Sequence, residues 1–207
     1  MDIKIRFLGR IDYAAALREQ EACLERVANK ETNGEILLLE HEPVFTIGRT
    51  RNKSSLHLFP VLPFPVFEIS RGGQATYHGP GQLVVYPILD MARFNRDLHH
   101  YLRWLEEFLI GFCALYGVRA TRREGLTGCW VNERKIASIG VGVRRWISMH
   151  GFAINILPTA LEGFRYIIPC GIQGVQMTDL STEANQLLSV QEAANSCAKF
   201  FFEKLKF

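Results

Sequence analysis

GCWVNERKIASIGVGVRRWISMHGFAINI, residues 128–156, decides the architecture. Its apolar residues fall into the runs GCWV, KIASIGVGV and ISMHGFAINI, separated by the polar turn material NER and RRW. Spacings this short join neighbouring strands as antiparallel hairpins. Under regular alternation Ser138, Gly140 and Gly142 share one face of the middle strand, and Lys135 falls on the opposite face.

Outward from this meander the pattern changes period. Upstream, Leu98, Tyr101, Leu102, Leu105, Phe108, Leu109, Phe112, Leu115 and Tyr116 form a broad helical stripe that stops near Gly117. Downstream, SVQEAANSCAKFFFEKLKF reads as a closing amphipathic helix built on Val190, Ala194, Cys197, Phe201 and Leu205. Tyr13, Leu17, Leu24 and Val27 predict an opening helix over 11–30, with Gly34 as a left-handed stop. EILLLEH (35–41), VFEIS (66–70) and LVVYPIL (83–89) read as strands. Helices and strands mix without a βαβ repeat, which predicts an α+β (mixed α/β) fold with mixed sheets flanked by helices. The absence of a repeat or long linker predicts one domain over 1–207.

Composition narrows the function classes. The chain has 207 residues, 48% of them hydrophobic, enough to bury a substantial core. No apolar run approaches the roughly 20 residues of a membrane span, and MDIKIRFLGR lacks a signal peptide's apolar stretch, so the expectation is a cytoplasmic protein that does not enter a membrane. Five cysteines without CxxC pairs or grouped histidines argue for reduced thiols and against a structural zinc site. A net charge of +3 does not announce nucleic-acid binding, and no aromatic-basic recognition module is present. Arg49, Arg51, Lys53, Arg122, Arg123, Arg144 and Arg145 are candidates for docking acidic partners, or are solvated charges.

The chemistry-bearing residues sit in a few segments. RGGQATYHGPGQLVVYPILD, residues 71–90, crowds glycines and a proline beside an apolar strand; such a loop either lines a pocket or makes a tight connection. It matches neither a phosphate loop nor the GxGxxG dinucleotide pattern. Cys170 lies between Pro169 and Gly171, away from the helical settings of Cys23, Cys113 and Cys197. A reactive thiol needs a cationic neighbour, for which Lys135 is the candidate, although spacing alone does not bring the two together. His41, His78 and His150 could each carry a proton or fill a structural role.

Taken together and in order, HEPVFTIGR, RGGQATYHGPGQLVVYP, GCWVNERKIASIGVGVRRWISMHGFAINI and PCGI resemble the octanoyltransferase family of protein lipoylation, also called lipoate-protein ligase B. The resemblance runs from residue 41 to about 180. It implies the biotin/lipoate protein ligase catalytic fold and an acyltransferase that needs no cofactor. The donor would be octanoyl-acyl carrier protein. The acceptors would be lipoyl domains of 2-oxoacid dehydrogenase complexes and the glycine cleavage H protein. Carried over by motif, Cys170 bears the acyl group as a thioester and Lys135 is its catalytic partner. The substrate-binding segments are Arg71, Gly72, Gly73, Gln74, Ala75, Thr76, Tyr77 and His78; Ser138, Ile139 and Gly140; and Gly151, Phe152 and Ala153. Backbone N–H groups around Cys170 or the glycine loop are expected to face the oxyanion, and a monomer is the expected state. Phe152 replaces the family's commoner Leu, and Asp179 stands where Ser is frequent. The alternatives on the same scaffold are an ATP-dependent lipoate or biotin ligase, which would not depend on Cys170, and a noncatalytic acyl-carrier-binding protein.

Overall fold

The computed structural model describes residues 3–49, 53–56 and 61–205. The chain runs β1 (Lys4–Ile11), α1 (Tyr13–Ala28), β2 (Gly34–His41), β3 (Val44–Ile47), β4 (Val66–Glu68), β5 (Thr76–His78) and β6 (Gln82–Leu89). It continues through α2 (Leu98–Ala114), β7 (Thr121–Arg123), β8 (Leu126–Val131), β9 (Arg134–Arg144) and β10 (Ile147–Asn155). The described chain closes with β11 (Gln176–Met177), α3 (Leu180–Ala184) and α4 (Val190–Lys204); 3-10 turns at Pro158–Tyr166 and Pro169–Gly171 precede β11.

The large mixed sheet has the order β1-β2-β6-β10-β9-β8-β7, with β11 added beside β9. Within the described strands of this sheet only the β1/β2 and β9/β11 pairings are parallel. The expected antiparallel meander is present as β8-β9-β10. Each sheet face carries a helical layer. Ile36, Leu38, Leu83, Val85, Phe152 and Ile154 pack under α2 and α4, while Leu37, Leu39, Val84, Tyr86 and Ala153 alternate to the other face under α1. Central β6 is buried along its whole length, and Pro87 within it interrupts the ladder. The Ser148 hydroxyl donates to the Pro87 carbonyl at 2.7 Å and accepts the Leu89 N–H at 2.9 Å, so a side chain replaces the missing backbone link.

Local chemistry sets the helix limits. Asp12, Asp97 and Ser189 cap α1, α2 and α4 by accepting N–H groups of the first turn. The stop after α1 is not Gly34, which already opens β2; it is Lys30, at φ 60°. The sequence reading also missed β1, an edge strand whose alternation is broken by a register shift between Phe7 and Arg10.

The segment 71–90 crosses between sheets. A small sheet of order β4-β3-β5 packs Phe45, Ile47 and Tyr77 against Phe164 and Ile167. β5 belongs to that sheet and β6 to the large one, so the turn at Gly79–Gly81 is the corner where the chain changes sheets. The glycine loop 71–75 thereby lies along β9, where the Gly72 N–H donates to the Val141 carbonyl at 2.9 Å.

Candidate active site

The decisive local feature is a bulge in β9. Cys129 pairs with Ala137 but Trp130 pairs with Lys135, so Ile136 is an extra residue opposite β8. Ile136 and Ala137, though consecutive, both enter the core under α2. Alternation is thus reset, and Lys135 and Ser138 end on the same face, contrary to the regular-strand expectation. Lys135 Nζ stands 3.5 Å and Ser138 Oγ 3.8 Å from Cys170 Sγ.

Cys170 is presented by a tight turn. Its backbone is left-handed at φ 55°, its N–H donates to the Ala75 carbonyl at 2.8 Å, and the Gly171 N–H donates to Ile168. Both N–H groups are committed to backbone carbonyls. Cys170 is half-buried, whereas Cys23, Cys113, Cys129 and Cys197 are buried in the core. Lys135 is 1% exposed, an unusual depth for an ammonium. Its Nζ donates to the Thr127 carbonyl at 3.0 Å and lies 5.2 Å from the Trp130 ring centroid. Among the described residues no carboxylate forms an ion pair with it.

A cavity of about 220 Å³ opens beside the sulfur. Of the residues named from sequence, Arg71, Gly73, Gln74, Thr76, His78, Lys135, Ser138, Ile139, Gly140, Gly151, Phe152, Ala153 and Cys170 line it. Gly72, Ala75 and Tyr77 stand behind the wall: Gly72 pins the loop to β9, Ala75 holds the Cys170 N–H, and Tyr77 packs in the small-sheet core. The sequence reading missed Tyr13, Tyr86 and Thr127, which also line the cavity. Tyr13 sits on the apolar stripe of α1 and looks like core, and Thr127 contributes to the Lys135 contact through its carbonyl, which no side-chain pattern reveals.

The polar wall is a buried array. The Arg71 guanidinium donates to the Thr46 carbonyl and hydroxyl at 2.9 Å and to the Gly72 carbonyl at 2.8 Å, and the Arg71 side chain lies over Gly140, where a Cβ would meet its Cδ at 2.8 Å. Burial pushes its pKa down, opposed by the nearby Cys170, Tyr13 and Tyr86 groups. Burial also lowers His41 to about 4, His78 to about 3 and His150 to about 4, and the Arg71 charge adds to the effect on His78 and His150. All three rings are neutral at physiological pH. The Gln82 amide donates to Asn155 Oδ1 at 2.9 Å, so Gln82 Oε1 accepts from His78 Nδ1–H at 2.7 Å and His78 Nε2 keeps its lone pair. Tyr13 Oη, Thr76 Oγ1 and both His150 nitrogens have no hydrogen-bond partner among the described residues, and all three residues line the cavity. Among the described residues no group of three or more His, Cys, Asp and Glu side chains is arranged to hold a metal ion.

The lipoyl protein ligase A/B catalytic-domain model matches residues 12–202, nearly the whole chain and every part of this site. The chain belongs to that family. An octanoyltransferase of Citrifermentans bemidjiense is 52% identical over 89% of this chain and 88% of its own length. A bipartite lipoate protein ligase of Thermoplasma acidophilum superposes with a TM-score of 0.66 at 15% identity, covering 99% of this chain and 84% of the other. The biotin protein ligase of Aquifex aeolicus gives 0.54 at 16% identity, over 100% and 70%. The fold is therefore the one lipoate and biotin protein ligases share.

Within this lipoyl ligase fold, several expectations resolve further. Asp179 caps α3 by accepting the Thr182 N–H at 2.9 Å, a task Ser performs equally, so its departure from the family's frequent choice is conservative. The Phe152 ring packs tilted against Phe108, with centroids 5.8 Å apart, and bears on the cavity wall from the core side. The basic cluster is largely engaged: Arg122 pairs with Glu106 and Glu107, Arg123 with Glu133, and Arg145 with Glu25. Arg49 and Arg144 share a separate hollow with Glu21 and Glu68. Arg51 and the Lys53 side chain lie outside the described residues. No helix among the described residues is long and apolar enough to cross a membrane.

Proposed function

We propose that this family member transfers an octanoyl group from octanoyl-acyl carrier protein to the lysine amine of lipoyl domains, through a thioester on Cys170. The observation that carries the reading is the placement of Cys170 Sγ 3.5 Å from the buried Lys135 Nζ at the edge of a 220 Å³ cavity. The octanoyltransferase name of a 52% identical relative supports the octanoyl chain.

A buried ammonium without a carboxylate is costly, and a neighbouring thiolate supplies the missing counter-charge. The thiolate attacks the donor's thioester carbonyl, the carbon–sulfur bond to the carrier breaks, and the departing carrier thiolate takes a proton from Lys135. Exchange of one thioester for another is nearly isoenergetic, so no ATP is consumed. In the second half the acceptor amine attacks the Cys170 thioester, neutral Lys135 takes the proton the amine sheds, and Cys170 leaves as thiolate. The starting ion pair is restored. With the Cys170 and Gly171 N–H groups occupied, the Ser138 hydroxyl, the Gln74 amide over Gly171 and the Lys135 ammonium are the donors for the oxyanion. Burial of about six methylenes at about 0.8 kcal/mol each anchors the tail with roughly 5 kcal/mol before ordering costs.

The test is transfer of a labelled octanoyl group from acyl carrier protein to a lipoyl domain with ATP withheld. Full transfer, lost in Cys170→Ser, is the expected result; transfer that requires ATP and survives Cys170→Ser would assign the chain to adenylating chemistry.

A further inference from the structure

We propose that Glu106, on the opposite face of the sheet, is a positioning residue for Lys135, acting through the peptide between Thr127 and Gly128. The inference rests on the reading of Lys135 as the partner of Cys170. Two bonds made by one amide carry it. The Gly128 N–H donates to Glu106 Oε1 at 3.2 Å, and the carbonyl of the same peptide, that of Thr127, accepts Lys135 Nζ at 3.0 Å. An amide in a regular strand directs both groups sideways to neighbouring strands. This one is turned so that it runs through the sheet, its N–H toward α2 and its oxygen toward the cavity. Gly128 makes the rotation possible: its φ is 130°, and a Cβ would meet the Ala137 carbonyl at 2.6 Å and Lys135 Cε at 2.8 Å.

Glu106 is 1% exposed and is itself held by Arg103 at 2.5 Å and Arg122 at 3.2 Å. It therefore fixes the peptide from a rigid helix and polarises its carbonyl toward the ammonium, since hydrogen bonds in series strengthen one another. The charged groups around this axis are Arg103 on α2 and Arg122 on β7 at the Glu106 end, and Cys170 and Arg71 at the Lys135 end. Glu106 touches no reacting atom.

Two substitutions separate reach from charge. Glu106→Asp keeps the charge for the arginines but withdraws the carboxylate by one methylene from the Gly128 N–H; Glu106→Gln keeps the reach and loses the ion pairs. The readouts are thermal stability, kcat and KM for the acceptor, and reaction with o-phthalaldehyde, which joins a thiol and an amine in contact into a fluorescent isoindole. The expected result is an inverted order. Glu106→Asp is the more stable variant and the slower one, losing about tenfold in kcat and in Cys170-dependent isoindole rate with KM within about twofold, while Glu106→Gln is less stable and faster. Should Glu106→Asp fail to fold, Glu106→Leu, of similar reach and without an acceptor, takes its place with the same kinetic expectation. Wild-type kcat and isoindole rate in the folded Asp or Leu variant, or losses that track stability in both, would overturn the inference while leaving the dyad standing. Absence of Cys170-dependent isoindole from the wild-type protein would instead overturn the dyad, and this inference with it.

Discussion

Lys135 is buried with a carbonyl, an indole face and a sulfur for company, so its removal should be felt in chemistry more than in carrier recognition. Lys135→Met, which keeps the apolar stem, is expected to slow both half reactions by about 100-fold or more in rapid-quench measurements, in line with general acid–base contributions. A variant slowed only in steady-state KM would place Lys135 in substrate docking instead. Phe152 offers a second residue-scale prediction. Phe152→Leu frees space where β10 meets the cavity and is expected to move chain-length preference toward longer acyl groups by about 1 kcal/mol per methylene accommodated. Competition between octanoyl and decanoyl carriers measures it, and an unchanged ratio would remove Phe152 from the specificity wall. At this scale the sequence was legible where side chains do the work. Cys170 stood out because its glycine-proline setting differed from that of the helical cysteines. The Thr127 carbonyl and the committed Cys170 N–H were not legible, because backbone groups leave no trace in residue type.

Among the elements, β9 carries most of the site's geometry. Its bulge turns Lys135 onto the face of Ser138, and no periodicity in KIASIGVGV announces it, since the extra residue is defined only by what pairs opposite. That is why the face assignment failed while the strand itself was read with good bounds. The helices were easier: the apolar stripes of α2 and α4 are each packed against a continuous core, so period and burial agree. Phe108 and Phe201, stacked at 4.0 Å, join those two helices, and Phe201 is fully buried. Phe201→Ala is expected to cost about 3–5 kcal/mol in urea unfolding. A cost below about 1 kcal/mol would show that α4 contributes little to the helical layer.

For the molecule as a whole, three neutral histidines lie in one buried array beside Arg71. Their folded pKa values, about 4, 3 and 4, are below the unfolded value near 6.5, so the unfolded chain binds protons that the native state refuses. The resulting stability is fully present above pH 6.5 and is lost as pH falls toward 4, with a slope of up to about 1.4 kcal/mol per pH unit for each histidine. Urea titrations between pH 7 and 5 should show that decline, and His150→Gln should reduce its slope by about a third; an unchanged slope would mean that His150 does not share in it. The overall α+β class and the central meander were visible in the sequence because local pattern and sheet order agree there. Of the small sheet only β4 was visible, within VFEIS, since β3 and β5 are four and three residues long and pair with each other across the glycine loop.

The account stands on a covalent intermediate. Intact-protein mass spectrometry after mixing the enzyme with octanoyl-acyl carrier protein, followed by peptide mapping and addition of a lipoyl domain, tests it most directly. An octanoyl mass on Cys170, released by hydroxylamine and passing to the domain's lysine, is the predicted result. Full transfer to the lipoyl domain with no adduct on Cys170 at any time would contradict it.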